Sequence, residues 1–140
     1  MVLLDVNVWV AVVTNRHVHY PAVSDWLNRQ TADLVMCRVT QMGVLRLLSN
    51  RSSMGADVVT RAEAWSVIDG IRVDDRVRWA SEPPNLEHVW RAISAREDNS
   101  RRLWTDDYLA AFAQAAGLTL VTLDHGFKRR YPSVTVETLV

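Results

Sequence analysis

Short, largely apolar runs alternate along this chain with longer segments of helical periodicity. The clearest runs are Val2–Leu4, Leu34–Cys37 and Leu118–Leu123, and runs of this length predict buried strands. The segments between them place apolar residues three or four positions apart, which is typical of helices that pack on one face. The alternation predicts an α/β fold, a three-layer α/β/α sandwich around a mostly parallel sheet of about five strands.

Capping and helix-breaking residues define the remaining elements. Two further strands are expected at Val77–Ala80 and Val134–Val136. Helices are expected over residues 6–14, 21–29, 40–48, 56–70, 86–96 and 106–116, with Thr40, Asn85 and Thr105 as N-caps and with Gly70 and Gly117 at helix ends. No linker or repeat divides the 140 residues, so we expect a single domain, residues 1–140.

The composition excludes several classes of protein. The formal net charge is zero, which argues against binding nucleic acid through a bulk positive field. Cys37 is the only cysteine, so no intrachain disulfide can form. The N-terminus has no signal-peptide pattern, and no apolar run approaches the roughly 20 residues of a membrane span. We therefore expect a cytoplasmic protein with no membrane partner.

Two of the apolar runs end on an aspartate, at Asp5 and Asp124. Parallel strands bring both carboxylates to the same edge of a sheet. Asp106 lies in the first turn of a predicted helix, and helices of an α/β sandwich begin near that edge. Turn formation or the dipole of a helix N-terminus explains each aspartate equally well by itself. Only the joint placement of the three predicts a carboxylate cluster.

Clustered carboxylates raise one another's pKa values unless a cation joins them. Mg²⁺ suits such a site, because it takes hard oxygen ligands and keeps several waters, and Mn²⁺ is an alternative. A metal held in this way binds a phosphate oxygen and activates water. The single thiol and the four dispersed histidines show no zinc-site spacing, and there is no Walker loop or nucleophile elbow.

Three blocks of sequence, in this order, also resemble a known family. They are Leu3–Asn7, Trp104–Ala113 with its Thr-Asp pair, and Leu120–Phe127 with its Thr-Leu-Asp triplet. These blocks are similar to those of PIN domains of the VapC toxin type. The resemblance implies that the catalytic and metal-binding residues are Asp5, Asp106 and Asp124, and that Asn7 and Thr122 support them.

One position departs from the family pattern. The family has a glutamate early in its third helix, where this chain has Gln41, and no acidic residue lies between Asp33 and Asp57 to replace it. Gln41 can still hydrogen-bond a metal-bound water but adds no charge. Three aspartates around one Mg²⁺ give the site a net charge of about −1. We therefore expect one tightly held metal, with a second ion arriving with the RNA phosphate.

Several basic and aromatic residues are candidates for RNA contact. Arg46 is placed to reach a substrate phosphate, or else to form a structural ion pair with one of the acids. The alternatives for Lys128, Arg129 and Arg130 are contact with an RNA backbone and a solvated loop. Trp104 either stacks on an RNA base or packs against other residues of the protein.

Asp107 is a possible fourth acid. It lies about 100° around the helix from Asp106, so we expect it in solvent or at a cap.

The resemblance implies a Mg²⁺-dependent endoribonuclease that cleaves transfer or ribosomal RNA through metal-activated water. It also implies a toxin with a cognate antitoxin protein, and a homodimer, with which helix faces bearing Trp26 and Trp65 are consistent. One alternative is a PIN-like module that binds RNA or protein with weak or no catalysis, for which Gln41 is the main support. Another alternative is a phosphate-handling receiver domain. This chain lacks the aspartate that a receiver requires after a middle strand.

Overall fold

The computed structural model describes all 140 residues and contains one five-stranded sheet. All strand pairs are parallel, and the spatial order is β3-β2-β1-β4-β5. The strands are β1 (Val2–Leu4), β2 (Leu34–Met36), β3 (Val77–Trp79), β4 (Thr119–Thr122) and β5 (Val136–Thr138). The mostly parallel sheet expected from the apolar runs is confirmed.

Eight α-helices connect and cover these strands. They are α1 (Val6–Val13), α2 (Tyr20–Arg29), α3 (Arg38–Leu48), α4 (Arg51–Met54), α5 (Arg61–Arg72), α6 (Leu86–Ser94), α7 (Leu103–Ala116) and α8 (Phe127–Arg130). None of these helices combines the length and the apolarity that crossing a bilayer requires.

The strands bury alternate side chains on opposite faces of the sheet. Leu4, Met36 and Val121 belong to one core, which they share with residues of α1, α2, α3 and α5. Leu3 and Leu120 belong to a second core, formed with α6, α7 and α8. Because successive strand residues point to opposite faces, short strands that are apolar throughout require helices on both sides. The three-layer α/β/α sandwich is therefore confirmed.

The spatial order of the strands changes direction between β1 and β4. From β1 the chain builds outward to β2 and β3, whereas β4 pairs with the other side of β1 and β5 lies beyond it. Open parallel sheets bind ligands at such a switch point, outside the carboxyl ends of the strands. The residues that follow β1 and β4 are therefore the ones that the fold brings to this place.

Helix α3 begins earlier than its expected cap. Cys37 is the N-cap, and Thr40 lies inside the first turn, fully buried, with its hydroxyl 3.1 Å from the Cys37 sulfur. The core explains the difference, because burial of this turn against the sheet stabilises the helix without a side-chain cap.

The expected helix over residues 56–70 is two helices. Gly55, at φ +57°, ends α4, and a short 3₁₀ turn, Gly55–Asp57, follows it. Helix α5 then begins after Thr60, which forms a capping box with Glu63. Gly70 lies within α5 and does not end it. The capping box explains this start, because its two reciprocal bonds satisfy the backbone amides of Thr60 and Glu63, which have no partner within the helix at its N-terminus.

Three other boundaries differ from expectation. Helix α7 begins at Leu103, so Thr105 is inside it, although it ends at Gly117 (φ +67°) as expected. Asn85 precedes α6 with φ +71° but makes no side-chain capping bond. The last strand begins at Val136, because Val134 is buried against α7 and α8 instead of pairing with β4.

Candidate active site

Asp5 follows β1 directly and is the N-cap of α1. One carboxylate oxygen, Oδ1, accepts a hydrogen bond of 2.7 Å from the Val6 amide, and Oδ2 accepts one of 2.8 Å from the Thr122 hydroxyl. The side chain is buried, with 6% of the residue exposed. Donors on both oxygens fix the orientation of this carboxylate within the switch point.

Thr122 and Asn7 tie the ends of the two central strands together. The Thr122 oxygen accepts a bond of 3.0 Å from the Asp124 amide while its hydroxyl donates to Asp5. The Asn7 carbonyl oxygen accepts a bond of 3.2 Å from the Leu123 amide, and its nitrogen lies 3.5 Å from the Thr122 oxygen. Both residues expected to support the site therefore lie between Asp5 and Asp124.

Arg130 joins the other two aspartates. Its Nη2 donates to Asp124 Oδ2 at 2.6 Å and to Asp106 Oδ2 at 3.1 Å. Asp124 Oδ1 accepts a further bond of 2.9 Å from the Gly126 amide. Of the two alternatives for Arg130, the solvated loop is wrong, because the short helix α8 turns this side chain back into the cluster.

Burial and charge shift the pKa values of the three aspartates in different directions. Burial, together with the charge of Asp5, raises the pKa of Asp106 to about 6. The pKa of Asp5 is also raised, mainly by burial and further by Asp124, although Thr122 and the Val6 amide oppose the change. The hydrogen bond from Arg130 lowers the pKa of Asp124. The three carboxylates therefore interact electrostatically as one group.

All three aspartates line one cleft of about 400 Å³ at the switch point. The ends of β1 and β4, helix α3 and the first turn of α7 form its walls. The polar and charged residues that line it are Asp5, Asn7, Arg46, Asn50, Thr105, Asp106 and Asp124. The joint placement predicted from strand ends and the helix start is what the structure shows.

The donor set fits a hard divalent cation, because the cleft offers three carboxylates and such cations prefer oxygen ligands. As the side chains stand, no three acidic, histidine or cysteine side chains converge closely enough to hold one ion. Arg130 supplies the positive charge between Asp106 and Asp124 instead. A cation bound by all three aspartates therefore has to compete with this guanidinium.

Gln41 does not line the cleft. It is buried in the first turn of α3, and its amide oxygen accepts a bond of 2.6 Å from Arg38. The expected contact between Gln41 and a metal-bound water is therefore not what the structure shows.

The other candidate contacts divide into two groups. Arg46 is exposed, lines the cleft and forms no ion pair, which removes its structural alternative. Lys128 and Arg129 are exposed on α8 and form no ion pair either. Trp104 is 56% exposed and lines a different cavity. Trp26 is buried, with its indole N–H bonded to Glu137, so it does not present a dimer surface.

Asp107 is buried, with 8% of the residue exposed, contrary to the expectation of solvent or a cap. The hydroxyl of Tyr131 donates a hydrogen bond to its Oδ1. The expectation failed because α7 starts two residues before Thr105, which places Asp107 in the second turn, facing α8. The sequence shows a tyrosine directly after the three basic residues of α8, but it does not indicate that this tyrosine lies within hydrogen-bond distance of Asp107.

Comparisons with known proteins agree with this architecture. The PIN domain family model matches residues 2–131. The ribonuclease VapC41 of Mycobacterium tuberculosis is 42% identical over 133 residues, covering 91% of each chain, and the ribonuclease VapC29 of the same species is 32% identical, covering 96% of this chain and 94% of its own.

Solved structures share the fold at low sequence identity. VapBC2 from Rickettsia felis, determined with a DNA fragment from its promoter, has a TM-score of 0.73 at 14% identity over the whole of both chains. The sarcin–ricin loop cleaving toxin VapC20 of M. tuberculosis has a TM-score of 0.70 at 15% identity, covering 92% of this chain and 94% of its own. The family match and the identity to VapC41 together show that this chain belongs to the PIN domain family, as a PIN domain of the VapC type.

Proposed function

We propose that this protein is a metal-dependent endoribonuclease, with Asp5, Asp106 and Asp124 as the catalytic ligands of Mg²⁺ or Mn²⁺. The observation that carries the proposal is the shared cleft of the three carboxylates at the switch point of the sheet. The names of the relatives support the reaction, because VapC41 and VapC29 are both called ribonucleases.

The proposal includes a biological setting. The protein is a cytoplasmic toxin, a single PIN domain that forms a homodimer, and a cognate antitoxin protein holds it inactive. Its substrate is transfer or ribosomal RNA. Solved relatives that were determined as VapBC pairs support the antitoxin partner. Trp65, which is half exposed on α5, remains available for a dimer surface.

Each side chain has a definable part in this chemistry. A divalent cation in the cleft would supply charge for a phosphate oxygen and an activated water. Asp5 is held in a fixed orientation by the Val6 amide and by Thr122, which Asn7 supports. Arg46, exposed at the cleft wall, positions the phosphate of the strand to be cut. Lys128 and Arg129 extend the positive surface along the RNA backbone.

One alternative function has a specific observation in its favour. Arg130 already forms ion pairs with two of the three carboxylates, and Gln41 stands where the family has an acid. A PIN module that binds RNA or protein without cutting would have these features, since its cluster needs no metal. Metal binding separates the two candidates, because only the nuclease requires it.

The test is cleavage of total cellular RNA by the purified protein with Mg²⁺ or with EDTA, using wild type, Asp5→Asn and the control Asp69→Asn, which changes an exposed acid on α5. We expect cleavage only with metal, a loss of at least about 100-fold in Asp5→Asn, and full activity in Asp69→Asn. Cleavage that persists in EDTA or in Asp5→Asn contradicts the metal mechanism. RNA binding without Mg²⁺ binding in calorimetry favours the non-cutting module.

A further inference from the structure

A second cavity of about 400 Å³ lies on the other flank of the first turns of α7. The end of α6, the loop over residues 95–102 and α7 form it, and we call it the α6–α7 pocket. Thr105 and Asp106 line the cleft, whereas Trp104 and Asp107 line this pocket. Neighbouring helix residues point about 100° apart, so one stretch of α7 serves two adjacent cavities.

Asp107 is the only buried residue that lines the α6–α7 pocket. Tyr131, itself buried, holds Oδ1 through its hydroxyl, while Oδ2 has no hydrogen-bond partner in the chain. Oδ2 is not one of the fully buried side-chain atoms, so it is open to a hydrogen bond from a ligand or from solvent in the pocket. The pocket therefore presents one acceptor of fixed orientation.

The other polar groups of the pocket are less suited to accept a hydrogen bond from a ligand. The Asp98 carboxylate is exposed and already accepts a bond of 3.0 Å from the Ser100 amide within its own loop. Arg96 and Arg101 are exposed, and neither forms an ion pair, although Arg96 Nε donates to the Ile93 carbonyl at 2.9 Å. These guanidinium groups offer exposed cations for a phosphate beside the Asp98 carboxylate.

Trp104 provides a flat wall. It is 56% exposed, and its ring meets Trp90 at an interplanar angle of 76°, with the centroids 6.2 Å apart. The edge-to-face packing fixes the indole while much of its surface stays open. Nucleobases stack on exposed aromatic rings of this kind.

We propose that the α6–α7 pocket binds one unpaired guanine of the RNA substrate, with the base stacked on Trp104 and its Watson–Crick edge donating to Asp107. The inference rests on the proposed ribonuclease function, because it assigns the base preference of the adjacent cleft. Protein recognition of single-stranded RNA commonly combines stacking with hydrogen bonds to this edge.

Guanine is the base whose edge matches a carboxylate. Its N1–H and its exocyclic amino group are adjacent donors, and an ionised carboxylate only accepts. Adenine and cytosine place an acceptor beside their amino group, and uracil flanks its single N–H with two carbonyl oxygens. Those three bases therefore leave an acceptor facing Asp107, which costs binding free energy.

The test follows the Trp104 indole N–H resonance in NMR titrations with 5′-GMP, 5′-AMP, 5′-CMP and 5′-UMP, all in EDTA. We expect GMP to bind about tenfold more tightly than the other nucleotides, the effect of one good paired contact. Asp107→Asn keeps an acceptor for Tyr131 but replaces Oδ2 with a donor, so it loses the preference. Asp69→Asn is the control that keeps it.

Equal affinity for the four nucleotides overturns the proposal, and so does a GMP preference that survives in Asp107→Asn. If Asp107→Asn does not fold, Trp104→Ala serves as the second variant, followed through the indole N–H of the neighbouring Trp90, and we expect it to weaken GMP binding at least about tenfold. Because the titration needs no cleavage, a protein that prefers GMP but leaves RNA intact contradicts the nuclease function and supports the pocket. RNA cleavage without a GMP preference contradicts the pocket alone.

Discussion

Arg130 is the residue that most changes how the carboxylate cluster behaves without metal. Its guanidinium lies within hydrogen-bond distance of Asp106 and Asp124, and these contacts raise its own pKa. A positive side chain between two acids lets the fold form before a cation is bound. The proposed metal therefore replaces an existing partner, and does not enter a cluster of unpaired negative charges.

Asp106 gives the metal-free protein a pH-dependent stability. Its folded pKa of about 6 exceeds the ordinary 3.8, so the folded state holds the proton more tightly than the unfolded state. The stability from this group is complete below about pH 4 and is lost as pH rises to about 6. In EDTA, Asp106→Asn should be about 1 kcal/mol more stable than wild type at pH 7, after allowance for screening by solvent.

Urea unfolding at pH 4 and pH 7 measures this difference. At pH 4 the advantage of Asp106→Asn should largely vanish, because the folded wild type then carries the proton and the unfolded carboxyl is close to half protonated. Asp124, whose pKa is lowered, changes stability in the opposite direction, so the comparison must be between variants at each pH. An advantage that is equal at both pH values would show that Asp106 is not the titrating group.

The sequence predicts residues at strand ends better than residues on short helices. Asp5, Thr122 and Asp124 could be placed because each follows or ends an apolar run in a parallel sheet. Arg130 and Asp107 could not, because their positions depend on α8, a helix of four residues, and on the start of α7, which lies three residues before the expected one.

At the scale of elements, the contact between α1 and α3 depends on Gly43. A Cβ built on Gly43 would lie 2.5 Å from Val6 Cγ2, a β-branched side chain that is itself buried. Gly43→Ala should therefore destabilise the protein by about 1–3 kcal/mol, the usual cost of overpacking. Urea unfolding of the metal-free protein measures the loss.

Two controls show whether the close approach is the cause. Gly70→Ala also replaces a helical glycine, but nothing lies within 4 Å of its Cβ position, so it should be neutral or stabilising by up to about 1 kcal/mol. In a Val6→Ala background, Gly43→Ala should cost much less, since the opposing methyl groups are gone. An equal cost in both backgrounds would point to a different origin.

Element identities could be predicted from the sequence more reliably than element boundaries. The apolar runs specify strands because only a doubly covered sheet can bury them. The starts of α3 and α7 were misplaced because Cys37 and Arg102 make no side-chain capping bond. The split before α5 could be missed because Gly55 and the Thr60 capping box lie within a stretch of otherwise helical pattern.

At the scale of the whole molecule, the zero net charge limits how RNA is held. The exposed cations proposed to contact RNA are Arg46, which lines the cleft, and Lys128 and Arg129 on α8. With about three phosphates neutralised, the plot of log K against log salt should have a slope near −2 for single-stranded RNA. Filter binding of Asp5→Asn to an RNA oligonucleotide at 50–200 mM KCl measures it.

A matched variant assigns that slope. Removing one of the three charges in Arg129→Gln should make the slope shallower by about 0.7, whereas Arg29→Gln, on the distant helix α2, should leave it unchanged. A slope far steeper than −2 in Asp5→Asn itself would mean that the basic residues of the α6–α7 loop contribute as well.

The position of β4 beside β1 within the sheet determines when, during synthesis, the active site can form. Leu3 pairs with Leu120 across the middle of the sheet, so the proposed active site joins residues from the two ends of the chain. During synthesis from the N-terminus, Asp5 exists long before Asp106, Thr122 and Asp124 have been added. A nascent chain cannot assemble the cleft until β4 has docked beside β1. A toxin built on this topology stays harmless to the ribosome that is producing it until β4 has been translated.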